Sequence, residues 1–229
     1  LVEHPKAVAA TLGRLQDVFE ANLAYEVLEA RGALKKKSVE ELMAMPVGEE
    51  TDEEKEAKEK ITKSYIRASV AIIMRECGRA KVMSTEDGML DTTLLFIVQH
   101  GLVDPDDQVH QGMLDAGAAI VDGYGADNAG QLLELLEAAM EEPAAKGVSV
   151  ELHDRRREGT VVLLGTVAKH LAKGDSKVAS IVSTLVESLS IPSESVQRSV
   201  ANCLAPLVAT MKDTAGTFLT QLVERCLNG

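Results

Sequence analysis

Asp104-Pro105-Asp106-Asp107-Gln108-Val109 and Ile191-Pro192-Ser193-Glu194-Ser195-Val196 follow one pattern, and that pattern decides the fold. In each, a proline suited to the first turn of a helix is followed by residues that cap the helix or complement its dipole, and then by a valine. Behind the two valines, Met113 answers to Val200, Ile120 to Leu207 and Val121 to Val208, every pair 87 positions apart. That offset is two periods of roughly 43 residues, the length of a unit built from two helices and their turns. The intervening unit places Arg156 at the Val109 position, with Val161, Leu164 and Val167 behind it, and Ile66 precedes Val109 by 43 positions. Such a unit exposes an apolar face that only a neighbouring unit can cover. The fold class is therefore all-α, a solenoid of antiparallel helix pairs wound as a right-handed superhelix, with leftover apolar surface at its ends.

Toward the N-terminus, Ala7, Val8, Leu12, Leu15, Val18, Phe19 and Leu23 recur at three-to-four spacing behind Pro5, which predicts one apolar helical face. Ser38 with Glu41 is a capping box for a short helix that Pro46 closes. The charged run from Glu49 to Lys60 holds i,i+4 pairs such as Glu54 with Lys58, and is predicted to lead into a helix carrying Tyr65, Ile66, Val70, Ile73 and Met74. Ser84-Thr85-Glu86-Asp87 predicts a helix start and Gly101 its stop. Pro105-Asp106-Asp107 opens a helix running to Gly123, and Asp127 opens another that Pro143 ends. Further helices are predicted from His153 to Leu171, and from the starts Asp175-Ser176, Pro192-Ser193 and Asp213-Thr214. No segment alternates with period two for long enough to suggest a sheet. Residues 1–50 read as N-terminal helices and a connector, and 51–229 as about four helix pairs of the HEAT type in one continuous array.

Charge narrows the function. Asp and Glu number 36 against 24 Lys and Arg, giving −12, which disfavours the chain as a nucleic-acid platform and leaves room only for a local basic patch. Aromatic residues make up 3% and Trp is missing, which argues against a small-molecule pocket. Cys77, Cys203 and Cys226 form no CxxC and sit in apolar helical patterns, as reduced core thiols of an intracellular protein do. No run approaches the ~20 apolar residues of a membrane span. The chain opens at Leu1 rather than Met, and reads as a piece of something longer.

Residues that could carry chemistry read better as structure. Gly159 and Gly165 lack the spacing and the lysine of a phosphate loop and lie inside a predicted helix, where they allow close packing. Asp104, Asp106 and Asp107 suggest a calcium loop, but that loop needs Gly at its sixth position and Val109 stands there. Asp87 and Asp91 complement a helix start. His4, His100, His110, His153 and His170 form neither HxxxH nor HExxH, and GxSxG is absent. The expectation is no catalytic residue, no metal and no cofactor. Two basic runs stand out, Lys35-Lys36-Lys37 and Arg155-Arg156-Arg157, the second followed by Lys169 and Lys173. Arg155, Arg157, Lys169 and Lys173 are the candidate contacts for an anionic partner. Arg155 and Lys173 would lie ~27 Å apart along a helix, too far for one compact patch. Arg156 occupies an inward-facing repeat position, so its guanidinium would need an acid partner there.

Arg157-Glu158-Gly159-Thr160-Val161-Val162-Leu163-Leu164-Gly165-Thr166-Val167-Ala168-Lys169-His170-Leu171 resembles the giant HEAT-repeat translational activator of the general amino-acid control pathway. So does Pro192-Ser193-Glu194-Ser195-Val196-Gln197-Arg198-Ser199-Val200-Ala201-Asn202-Cys203-Leu204-Ala205-Pro206-Leu207-Val208, and the run from His110 to Ala116 and Glu3-His4-Pro5 fit the same segment. The resemblance extends over residues 62–229 and more loosely over 1–24, while 25–60 match poorly. It implies a segment lying just before that family's region similar to elongation factor three. It further implies a cytoplasmic scaffold whose parent binds translating and collided ribosomes and joins an ABC-type ATPase partner. That parent activates the kinase of initiation factor two's alpha subunit when uncharged tRNA accumulates. The family's kinase-binding segment lies further toward the C-terminus, and no family site residue maps securely onto this chain. From the residues alone, the rival reading is a HEAT-repeat transport or assembly adaptor carrying protein cargo.

Overall fold

The computed structural model describes residues 5–23, 52–143, 149–172, 174–189 and 194–208, with 216, 220 and 223. Seven helices occupy them: α1 (Pro5–Ala21), α2 (Asp52–Arg79), α3 (Met89–Phe96), α4 (Asp107–Glu141), α5 (Val150–Ala168), α6 (Ser176–Ser188) and α7 (Glu194–Val208). There is no strand among the described residues.

Local sequence explains most boundaries. The Asp106 carboxylate accepts from the backbone N–H of Gln108 and Val109, capping α4. Ser149 Oγ and Asp175 Oδ1 do the same for α5 and α6, accepting from Leu152 and Lys177. α5 runs about a turn earlier than the expected His153–Leu171 because Ser149 is a better cap than the residues before His153.

Two expectations need correction. The start expected at Ser84 is a turn instead. Gly88 takes a left-handed conformation at φ 75°, the carboxylate of Asp87 accepts from Met89 N–H, and α3 begins only at Met89. It then loosens into a π-helical turn over Ile97–Gly101, ending at the expected glycine. The break expected between Gly123 and Asp127 is also not a loop. α4 runs on through a kink at Asn128 (φ −127°, ψ 19°), where the Asn128 side-chain amide donates to the Tyr124 carbonyl at 3.1 Å.

Bonds between elements repeat at one unit's spacing. Tyr124 Oη donates to the Met83 carbonyl, 41 residues away. Gln131 reaches Asp91 across 40 residues, Lys177 reaches Glu137 across 40, and Cys203 donates to the Val162 carbonyl across 41. These separations match the period in the sequence and define a stack in which like positions of successive units touch. α5 is the most enclosed element: every residue from Gly159 to Ala168 is buried, because α4 covers one side and α6 and α7 the other.

The apolar faces came out with one register change. Leu12 and Phe19 of α1 are buried, whereas Val18 is exposed. On α2 the buried stripe is Arg67, Ala68, Val70, Ala71 and Met74, and the expected core residues Tyr65 and Ile73 are exposed at 48% and 43%. α2 has apolar residues on more than one side, so periodicity alone does not choose the face. In α7, Val200 and Leu207 are buried and Leu204 half-buried, on the same side as Ile181 and Leu185 of α6. The Val196 side chain, Leu219 and Leu222, the helix expected at Asp213-Thr214, and the one between Ser38 and Pro46 lie outside the described residues.

Candidate functional site

Successive residues of a helix point about 100° apart, so the three arginines at the start of α5 take three directions. Arg155 turns back to the preceding unit, where Nη2 meets Asp107 Oδ1 at 2.8 Å and Nη1 donates to the Pro105 carbonyl at 3.4 Å. Arg156 turns inward, 5% exposed, donating to the Glu142 carbonyl at 2.7 Å and pairing with its carboxylate at 3.4 Å. This meets the requirement for an acid at that inward position, and it places a cation on the C-terminal end of α4, where it complements the dipole. Arg157 points outward and makes no ion pair or hydrogen bond among the described residues.

The other two candidate cations do not join them. Lys169 pairs with Asp122 at 2.5 Å, and the same carboxylate faces His170 Nε2 at 3.2 Å. Lys173, Lys35, Lys36 and Lys37 lie outside the described residues. Among the described residues no two of the candidate cations share a partner, and of those described Arg157 alone keeps an uncommitted charge.

Beside Arg157 is a cleft of about 470 Å³ between α4, α5 and α6. Its apolar lining comes from Met140 and Val161, and Asp154, Glu158 and Thr184 face it with Arg157. Burial, and then the Asp154 carboxylate four residues back, push the Glu158 carboxyl up, with Arg155 opposing. Neither Asp154 nor Glu158 makes an ion pair or hydrogen bond among the described residues.

The aspartates near Pro105 are architectural. Arg67 is fully buried and grips Asp104 at two points, Nε to Oδ2 at 2.7 Å and Nη2 to Oδ1 at 3.1 Å. Its Nη1 donates to the Asn22 carbonyl at the end of α1 at 2.5 Å. Ser64 donates to Asp106 at 2.6 Å. Burial raises the Asp104 carboxyl, against the lowering effect of Arg67 and of the Asp106 N–H. Sequence reasoning missed Arg67. Its signal was a lone arginine within an apolar helical stripe, one unit ahead of an aspartate that needed a partner.

Remaining candidates are likewise placed in packing. Gly159 abuts Leu102, and Gly165 abuts Cys203 and Leu185. Asp91 accepts from Gln131. His100 stacks on Phe96 with centroids 5.1 Å apart. Burial, then the charge of Arg155, lower His110 to about 4, and its Nδ1–H donates to the Leu102 carbonyl at 3.0 Å. Burial pushes the Cys77 and Cys203 thiols up, away from nucleophilic character; His4 and Cys226 lie outside the described residues. Among the described residues no three His, Cys, Asp or Glu side chains group as a metal site would need, and no helix is long and apolar enough to cross a membrane.

Stacked helix pairs bonded at one-unit spacing define a repeat protein of the HEAT class. The sequence model of a family described as "Stalled ribosome sensor GCN1, HEAT repeats" matches residues 1–169, and the chain belongs to that family. The match takes in residues 25–60, where the resemblance was poorest, and stops before the Pro192–Val208 stretch. The chain is 35% identical over 161 residues to Protein ILITYHIA of Arabidopsis thaliana, 70% of this chain. It is 37% identical over 156 residues to the human stalled ribosome sensor GCN1, 66% of this chain. With the eIF-2-alpha kinase activator GCN1 of Saccharomyces cerevisiae it shares 32% over 163 residues, 71% of this chain. In each case the match spans 6% of the relative's own length. No solved structure matches the chain significantly.

Proposed function

We propose that this chain is a non-catalytic scaffold segment of a far longer, cytoplasmic, ribosome-associated translational activator. The parent promotes activation of the kinase of initiation factor two's alpha subunit under amino-acid starvation or ribosome collision, together with an ABC-type ATPase partner. The observation that carries this reading is the family match over residues 1–169, with relatives named for stalled-ribosome sensing and for kinase activation.

What the segment contributes is spacing and surface. Residues 51–229 act as about four helix pairs in one array, with 1–50 leading into it, and neighbouring repeats of the parent cover its ends. Bonds such as Tyr124–Met83 and Lys177–Glu137 tie each unit to the next, so distant faces of the parent are held at fixed separation. Of the candidate cationic contacts Arg155, Arg157, Lys169 and Lys173, Arg157 is the one among the described residues whose charge remains free to meet an anionic partner.

Co-sedimentation of the full-length parent with ribosomes, with and without this segment replaced by an unrelated HEAT array of equal length, tests the proposal. Retained sedimentation and retained kinase activation with the equal-length array support a spacing role, and loss of either supports a direct contact. A parent that ignores ribosomes and instead recovers with transported cargo overturns the proposal in favour of the adaptor reading.

A further inference from the structure

We infer that the cleft between α4, α5 and α6 is a docking site for a basic protein segment, holding a lysine or arginine side chain of the partner against Asp154 and Glu158. The inference goes beyond the function proposed above, and its readout contains no ribosome.

The shape suits a long cationic side chain. Met140 and Val161 offer apolar surface for a methylene stem, and the two carboxylates offer an end-point for the charge. Asp154 and Glu158 stand four apart on α5, hence on one face of it, and neither is neutralised by a partner within the described chain. Four acids on or at the end of α4 differ in this respect: Asp107 has Arg155, Asp122 has Lys169, Glu137 has Lys177 and Glu142 has Arg156. The half-buried Glu158 carboxyl, pushed up by burial and by Asp154, is held where the charge of a cation arriving from outside would oppose both effects. The hydroxyls on the opposite wall ask for nothing, since Thr184 donates to the Ser180 carbonyl and Ser188 to that of Thr184.

Charge complementarity selects protein over nucleic acid. Among the described residues the one cation lining the cleft is Arg157, and it stands among Asp154, Glu158 and Glu187. Phosphate entering there would meet more negative than positive charge, in a chain already at −12. Arg157 then has a different use: at the mouth of the cleft it is placed to meet a backbone carbonyl or an acid flanking the partner's basic residue.

The test is a fluorescence-anisotropy titration of the whole 229-residue chain with a labelled lysine–glycine repeat peptide, and in parallel with a labelled oligouridylate of equal length. Saturable peptide binding is expected. Asp154→Asn with Glu158→Gln should weaken it at least ~tenfold. Asp17→Asn with Glu20→Gln, an equal change of charge on exposed positions of α1, should weaken it less than ~twofold. Thr184→Lys, which supplies the cleft with its own ammonium, should also weaken binding, and it carries the test if the carboxylate pair variant loses its helical circular dichroism. Absence of saturable peptide binding overturns the inference. So does equal weakening by the two carboxylate pairs, which would mean diffuse attraction. Binding of oligouridylate that Arg157→Gln abolishes would make the cleft a phosphate site and overturn it as well.

Discussion

Arg67 and Asp104 meet inside the stack as a two-point ion pair, with both side chains fully removed from solvent. One guanidinium joins three elements, since it also donates to the last turn of α1 through the Asn22 carbonyl. Breaking such a pair strands the remaining charge, which costs about 3–5 kcal/mol. Arg67→Met should therefore lower the urea midpoint sharply. Arg67→Met with Asp104→Asn should cost less than the sum of the two single changes, as a double-mutant cycle would report. Burial already raises Asp104, and a raised folded-state carboxyl gains stability as pH falls toward 3.8. The cost of Arg67→Met should accordingly shrink on acidification; a cost that stays constant with pH would mean that Asp104 is not left as an unpaired charge.

His110 gives stability a second pH dependence, of opposite sign. Its folded value lies near 4 against an ordinary 6.5, because burial and Arg155 both disfavour the imidazolium. Between those two values the unfolded chain takes up a proton that the folded chain refuses. Stability from this group is complete above about pH 6.5 and falls as pH drops toward 4, by about 1–3 kcal/mol in all. His110→Asn keeps a donor for the Leu102 carbonyl without titrating. Urea denaturation at pH 7 and pH 4.5 should show a smaller loss for His110→Asn than for the parent chain, and equal losses would place the pH dependence elsewhere.

Two glycines of α4 should respond in opposite directions to alanine. A Cβ on Gly123 would stand 2.6 Å from the Gly78 carbonyl oxygen of α2, a backbone atom that cannot move without shifting the helix crossing. Gly123→Ala should cost about 1–3 kcal/mol despite the gain in helix propensity. Around Gly130 a Cβ meets nothing within 4 Å, and Gly130→Ala should stabilise by about 0.5–1 kcal/mol. Thermal melts of the two variants check this, and a shift in the same direction for both would contradict the close α2–α4 approach.

The repeat was legible in sequence because a two-helix unit must bury the same positions each time, as Met113 and Val200 do. Caps were legible for the same local reason, as at Asp106 and Asp175. What local pattern could not show was decided by partners a unit away. Tyr65 and Ile73 lost their place in the core to a stripe that includes Arg67, because Asp104 supplies what a buried guanidinium requires. The expected loop is a kink within α4, and the Asn128 side chain bonds the Tyr124 carbonyl one turn back across it. Arg156 was legible as inward-facing from its repeat position, whereas nothing in the run itself showed that Arg155 turns back to Asp107 while Arg157 lines a cleft. The cleft was invisible because its walls come from three helices.

That divergence separates two arginines which the sequence treats alike. Arg155→Glu sets a carboxylate against Asp107 and removes the donor to the Pro105 carbonyl, at the turn that joins one unit to the next. Asp107 is largely exposed, so water screens the pair and the loss should be modest, about 0.5–1 kcal/mol. Arg157→Glu removes a cation that makes no bond within the described chain and should leave stability within about 0.5 kcal/mol. Salt distinguishes the two sites further: the difference between Arg155→Glu and the parent should narrow as sodium chloride rises, while Arg157→Gln, which adds no carboxylate beside Asp154 and Glu158, should show no such trend. In the full-length parent, association with ribosomes that weakens in Arg157→Glu but not in an equally destabilised Arg155→Gln assigns the effect to contact rather than to folding. Equal weakening in the two would assign it to the stability of the array.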